Sequence, residues 1–176
     1  MPDAPLPPPF PLGGRTYAPL ALLGRGKSGY SYLVTSDGAD RFVLKQIHHE
    51  PCDYYTFGDK FAAERHAYQT LSALAIPLPR WLADDPAAER ILKEYVPGPT
   101  ALELAQNRLV TPDLLDQVRT RFCAILRPAG LNIDYYPANF VLPPDTRQLV
   151  YIDYEINPYD PRWDFDPWAL PFWQPG

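Results

Sequence analysis

Three polar residues in the stretch LNIDYYPANFVLPPDTRQLVYIDYE, residues 131–155, have the types and the spacing for chemistry. Asp134 stands in a loop, Asn139 follows five residues on, and Asp153 comes after two short β-rich runs. The runs are Phe140-Val141-Leu142 and Leu149-Val150-Tyr151-Ile152, separated by Pro143-Pro144-Asp145-Thr146. Proline and aspartate in a polar gap between β-branched and aromatic runs predict a hairpin. That hairpin folds Asp153 back beside Asn139, which supplies two oxygen ligands for a hard cation. Asp134 is then a further carboxylate, placed to orient a nucleophile.

The elements that must position these groups are short. Residues 1–16 are a proline-rich tail, read as extended polyproline II; docking in an aromatic groove is the alternative to a plain lead. From Tyr17 the text turns β-like. Tyr17 to Leu23, Tyr30 to Val34 and Arg41 to Ile47 predict three consecutive antiparallel strands, with turns at Gly24–Gly29 and Ser36–Asp40. Gly26-Lys27-Ser28 tempts a P-loop reading, but that motif needs glycine where Ala21 stands and a helix after Ser28. A Gly24-x-Gly26-x-x-Gly29 turn between antiparallel strands, covering phosphates with its backbone, fits better, beside the plainer reading of a simple turn. Asp59 to Leu74 predicts a helix with Phe61, Arg65, Tyr68, Leu71 and Leu74 inward and Glu64 on or beside that face. Two more strands, Trp81 to Ala83 and Arg90 to Val96, flank a turn at Asp84-Asp85-Pro86. Pro97-Gly98-Pro99 reads as a hinge between lobes. Thr100 caps Ala101 to Arg108, and Thr111 to Leu126 is the second substantial helix, with Pro112 at its first position.

Taken together, these residues resemble the protein-kinase-like fold in order and spacing, over about residues 17 to 166. The glycine turn is followed by Lys45 in Phe-Val-Leu-Lys, similar to the family's strand-three lysine, and Glu64 lies on the next helix. Glu94-Tyr95-Val96-Pro97-Gly98 resembles a kinase hinge segment. Asp134-Tyr135-Tyr136-Pro137-Ala138-Asn139 matches the D-x-x-P-x-N catalytic loop, and Asp153-Tyr154-Glu155 the D-x-E of small-molecule kinases. Tyr159 to Asp164 resembles a segment of aminoglycoside- and choline-type kinases. Six motifs in one order carry more than any of them singly.

The resemblance implies an α+β, bilobal fold: an antiparallel-sheet lobe over 17–97 with one helix, then a strongly reduced helical lobe over 98–176. It implies ATP and Mg²⁺ as cofactors. Lys45 would hold the α/β-phosphates and be oriented by Glu64, while Gly24, Gly26 and Gly29 cover them. The Glu94 carbonyl and the Val96 backbone would take the adenine edge. Asn139 and Asp153 would ligate Mg²⁺, Asp134 would accept or orient the acceptor hydroxyl, and Asp164 would hydrogen-bond the catalytic-loop backbone.

Four departures qualify the pattern. Asn132 and Ile133 replace the His or Arg that usually precedes the catalytic Asp, and Lys93 stands where the family has an apolar gatekeeper. Only 23 residues follow Asp153, with no activation segment or peptide platform, and Tyr136 replaces a lysine common in Ser/Thr kinases. The tail aromatics Trp163, Phe165, Trp168, Phe172 and Trp173 read as core cover, with a docking patch for a partner or second copy, and so a homodimer, as the alternative.

Composition bounds the partners. A net charge of −5 and pI near 5.1 argue against nucleic acid or an anionic membrane surface. No run reaches the length of a membrane span, and the first residues lack a signal peptide's basic and apolar regions, so a cytoplasmic protein is expected. Cys52 and Cys123 are isolated and read as buried thiols in a reducing compartment. His48, His49 and His66 have no metal-ligand spacing and read as surface or packing residues. The expected function is an ATP- and Mg-dependent phosphotransferase acting on a hydroxyl of a protein Ser/Thr or a small molecule; the alternative is a nucleotide-binding pseudokinase that regulates a partner.

Overall fold

In the computed structural model, which describes residues 6–51 and 58–174, the sheet starts earlier than the prolines suggest. Phe10–Leu12 is a strand, β1, paired antiparallel with Arg15–Tyr17 at the start of β2 (Arg15–Arg25). Gly13 and Gly14, at φ 60° and 78°, close it as the two-residue turn that a type I′ hairpin requires. Phe10 and Leu12 are buried while Pro11 between them is exposed, which corrects the reading of residues 1–16 as a tail. Among the described residues β1 is a terminal strand of the sheet, where proline is tolerated. Cys52 lies outside the described residues.

Contacts divide the chain into two units, Met1–Ala63 with Arg80–Tyr95, and Glu64–Pro79 with Val96–Gly176. Among the described residues the first unit is a six-stranded antiparallel sheet in the order β1-β2-β3-β4-β6-β5. Its further strands are β3 (Gly29–Thr35), β4 (Phe42–Ile47), β5 (Trp81–Asp85) and β6 (Arg90–Glu94). The three consecutive antiparallel strands expected from Tyr17 onward are β2, β3 and β4. Phe10, Leu12, Tyr17, Val34, Leu44 and Leu92 pack together, and Ile47, Phe61 and Ile91 form a second cluster. Arg90 joins the far strands: its guanidinium donates to the Pro11 carbonyl (3.1 Å) and lies over the Phe10 ring.

The division between units falls within α1 (Lys60–Ala73), which Asp59 caps through the Ala62 N–H (2.8 Å). The helix occurs where predicted, but its buried line is Phe61, Glu64, Ala67 and Leu71, with Arg65, Tyr68 and Leu74 only half-buried. The inward face is therefore rotated by about one residue toward Glu64, and a carboxylate takes a fully buried position.

The second unit combines short helices with two small two-stranded pairings. Thr100 and Glu103 form a complete capping box at the start of α2 (Ala101–Gln106). The long helix expected over 111–126 runs without a gap from Pro112 to Leu126: α3 (Pro112–Val118) continues through a π-helical turn, Arg119–Cys123, into α4 (Ala124–Leu126). Leu114, Leu115, Val118, Phe122, Cys123 and Leu126 all point into one core. Burial pushes the Cys123 thiol up to about 11, so it packs as an inert apolar group. Short strands follow: β7 (Leu131–Asn132), β8 (Phe140–Val141), β9 (Val150–Tyr151) and β10 (Asn157–Pro158), paired β7 with β10 and β8 with β9. The chain closes on a π-helical turn, Phe165–Ala169, and α5 (Leu170–Trp173). Phe140 is the hub of this core, its ring 5.2 Å from Phe122, 5.3 Å from Tyr151 and 5.2 Å from Trp173. Each such aromatic pair adds about 0.5–1.5 kcal/mol beyond its buried area.

Candidate functional site

The predicted hairpin is β8–β9, with Phe140 opposite Tyr151 and Val141 opposite Val150. Its turn is braced from α3, where the Gln117 side chain accepts the Leu149 N–H (3.0 Å) and donates to the Arg147 carbonyl (3.2 Å). At the open end, the Ile152 N–H donates to the Asn139 carbonyl (2.9 Å). That bond places Asp153, the next residue, beside Asn139, as the spacing of the two runs predicts. The other edge of β8 is fixed by the Leu142 N–H donating to Pro99 (3.0 Å) and by a bridge between Thr100 and Val141. Gly98 makes that approach feasible: at φ 134°, a Cβ there would sit 2.3 Å from the Leu142 carbonyl oxygen.

Asp134 begins the loop that a short 3₁₀ turn, Pro137–Asn139, completes. Its Oδ1 accepts the Tyr136 N–H (3.0 Å), an Asx turn that aims the carboxyl, and its carbonyl accepts from Nδ2 of Asn139 (3.2 Å). Burial pushes the Asp134 carboxyl up from its ordinary value, and the charges of Glu155 and Asp153 push it further. Beneath it, Tyr151 is fully buried and its hydroxyl is driven well above the tyrosine range, first by burial and then by Asp153, Glu155 and Asp134. A carboxylate held in partial burial with two acids nearby is a base whose affinity for a proton is raised, or a group that a cation would relieve.

Two side chains outside the expected set of site residues brace this region. Nε1 of the buried Trp173 donates to the Tyr135 carbonyl (2.9 Å). Asn132 donates to the Trp163 carbonyl (3.0 Å) and accepts the Asp160 N–H (2.9 Å), which ties β7 to the segment after β10. The expected link from Asp164 to the catalytic-loop backbone is not made. Asp164 accepts from Arg127 (2.6 Å), Tyr159 (3.1 Å) and its neighbour Phe165 N–H (2.7 Å), so Asn132 and Trp173 do the bracing instead. Asn132 is legible as the replacement for a family hydrogen-bonding residue; Trp173 carries no signal beyond being aromatic. Of the tail aromatics, Phe165 and Trp173 are buried, as core cover requires, whereas Trp163 is 54% and Phe172 44% exposed.

Magnesium, which the kinase resemblance implies, would find two oxygen donors here. Because Nδ2 of Asn139 is committed to the Asp134 carbonyl, the Asn139 Oδ1 is the atom left to act as ligand. The Asp153 carboxylate, steadied by the Tyr154 N–H on Oδ1 (2.9 Å), is the second hard oxygen donor. Among the described residues no three His, Cys, Asp or Glu side chains gather into a metal cage. Magnesium does not need one: it is commonly held by one or two protein ligands and completed by phosphate oxygens and water.

The remaining predicted residues lie elsewhere in the chain. Gly24, Gly26 and Gly29 lie on or between β2 and β3, and the Gly26 N–H donates to the Gly29 carbonyl (2.9 Å). A Cβ on Gly29 would stand 2.6 Å from the Gln46 carbonyl oxygen, so only glycine fits. Lys45 is buried in the inner strand β4, opposite Ser31 and Ile91. Lys93, at the gatekeeper position, is buried in β6. Glu94 ends β6, its carboxylate bound by the Arg80 N–H and Nε (both 3.1 Å). Glu64 is buried on α1 and Val96 is half-buried.

The sequence matches no protein-family model and no curated protein. No helix among the described residues is long and apolar enough to cross a membrane.

Proposed function

We propose that the protein is an ATP- and Mg²⁺-dependent phosphotransferase of minimal protein-kinase-like type, transferring a phosphoryl group to an acceptor hydroxyl. The observation that supports this reading is the Asn139–Ile152 backbone bond, which returns the chain at Asp153 toward Asn139, together with an Asp134 of raised proton affinity. Asp134 accepts or orients the hydroxyl proton, and its Asx turn fixes the direction in which it does so. Asn139 and Asp153 would hold the magnesium ion, which would supply charge neutralisation on the phosphates. Lys45, Glu64, the glycine loop, the Glu94 carbonyl and the Val96 backbone take their roles from the kinase resemblance: phosphate grip, lysine orientation, phosphate cover and adenine edge.

The test is incubation with Mg²⁺ and γ-labelled ATP, with and without candidate protein and small-molecule acceptors. Asp134→Asn is expected to lower transfer by roughly 10²–10⁴-fold while nucleotide affinity stays within about threefold. Transfer undiminished in that variant rules the role out.

One observation favours a second reading, a nucleotide-binding pseudokinase. Both ends of the Asn132 amide are committed to residues 160–163, so the residue that stands in for the family's charged partner offers Asp134 no charge. Nucleotide binding with no turnover, in the wild type and in Asp134→Asn alike, identifies that state.

A further inference from the structure

The glycine loop carries a set of bonds that the phosphotransferase reading does not use. Along its carbonyl edge, Gly26 accepts from Nε2 of His48 (3.0 Å), and Ser28 accepts from the His48 N–H (3.2 Å). The carbonyl between them, Lys27, accepts from Nζ of Lys60 (3.2 Å), and the same ammonium donates to the His48 carbonyl (2.6 Å). His48 and Lys60 are thus joined to each other as well as to the loop. A carbonyl only accepts, so Nε2 of His48 carries the proton, and its Nδ1 is the acceptor for the Glu50 N–H (3.2 Å). The Tyr30 ring packs against the imidazole at 5.0 Å. Glu50 in turn accepts from Tyr30 and Arg25, which closes the rim.

Lys60 is the informative member. It is buried at the first residue of α1, where the Asp59 cap fixes the start of the helix. An ammonium out of water is costly unless its protons are satisfied, and a methionine of similar length would pack there without that cost. What a lysine adds is directional bonding to two carbonyls in segments far apart in sequence.

We propose that Lys60, together with His48, is the positioning residue of the glycine loop. The pair grips three successive carbonyls, those of Gly26, Lys27 and Ser28, and so sets the loop's shape before any nucleotide arrives. Preorganisation of this kind removes an ordering cost from binding. The phosphate-covering role of the loop rests on the phosphotransferase reading; the clamp is a property of the free protein.

Lys60→Met, Lys60→Arg and His48→Ala separate the two ideas. In the free protein, amide hydrogen exchange at 26–29 is expected to quicken roughly tenfold in Lys60→Met, with the amides of Val34 and Leu44 unchanged. The KM for ATP is expected to rise by a similar factor while kcat stays within about twofold. Lys60→Arg restores both readouts, because a guanidinium keeps the donors, and His48→Ala moves them in the same direction by less. Loop exchange unchanged in Lys60→Met overturns the clamp, as does an unchanged KM in protein that turns over ATP. Should Lys60→Met fail to fold, His48→Ala alone decides on the same readouts. A wild type that neither binds nor consumes ATP defeats the phosphotransferase reading, and the exchange result still decides the clamp.

Discussion

The loop from Gly24 to Gly29 is gripped from the side by a histidine and a lysine, whereas the loop from Asp134 to Asn139 rests on aromatic side chains of the core beneath it. In the first, the bonds run to carbonyls and the rim around them is exposed, as at Arg25, Gly26 and Glu50. In the second, Trp173 holds the Tyr135 carbonyl, Tyr151 underlies Asp134, and Phe140, the residue after Asn139, is the hub of the unit's core. Polar bonds near water contribute little each and open locally at low cost; a loop seated on packed aromatics moves only with its core. On the phosphotransferase reading, a loop that covers phosphates must open to admit them, whereas a loop that aims Asp134 and Asn139 must hold still.

This contrast makes demands that can be checked. The largest effect is expected for Trp173→Ala, which removes a fully buried side chain and its bond to Tyr135. Stability should fall by about 3–5 kcal/mol in denaturant unfolding, and exchange across 131–139 should rise. If the glycine loop loosens as much as the carboxylate loop, the two are not separately anchored. Next comes Gly29→Ala, whose Cβ would meet the Gln46 carbonyl at 2.6 Å. A loss of about 1–3 kcal/mol is expected, with resonance shifts confined to β3, β4 and the loop between β2 and β3. A thermal midpoint equal to the wild type would mean that the strands can yield there.

Smaller still is Thr100→Ala. It removes the hydroxyl that accepts the Glu103 N–H (3.1 Å) at the start of α2, next to the bridge from Thr100 to β8, and leaves the backbone half of the capping box in place. About 1 kcal/mol should be lost, with modest loosening of β8 and none of the glycine loop. The last effect is a slope rather than a step. Burial pushes the Asp164 carboxyl up, but bonds from Arg127, the Phe165 N–H and Tyr159 outweigh it and hold the group below the usual carboxylate range. A carboxyl lowered in the native state contributes stability that is complete above its unfolded value, near about 4, and is lost as pH falls through the native value. Urea midpoints measured from pH 6 downward should therefore drop more steeply below about pH 4 in the wild type than in Asp164→Asn. Parallel curves would show that Asp164 does not contribute to the acid limb.

Much of this arrangement is legible in the residues because it is local. The β8–β9 hairpin follows from two β-rich runs and a Pro-Pro-Asp turn, and the nearness of Asn139 to Asp153 follows from the hairpin alone. The Thr100 cap and the antiparallel order of β2, β3 and β4 are likewise written in short stretches of chain. Strand β1 was hidden for a local reason too: prolines at 7, 8, 9 and 11 mask the Gly13-Gly14 turn, which by itself is a strong hairpin signal. On α1 the sequence puts Glu64 on or beside the inward face, where it is buried, but gives no sign of the burial of Lys60, whose charge hydropathy assigns to solvent.

What sequence alone determined, then, is which residues could do chemistry and the hairpin that pairs Asn139 with Asp153, since turns and alternation act within a few residues. Which residues hold those groups still was decided only in three dimensions. Trp173 reaches Tyr135 across 38 positions, Asn132 reaches Trp163 across 31 and Lys60 reaches Lys27 across 33. No periodicity records such pairings, because each depends on where whole elements pack rather than on the residues beside it.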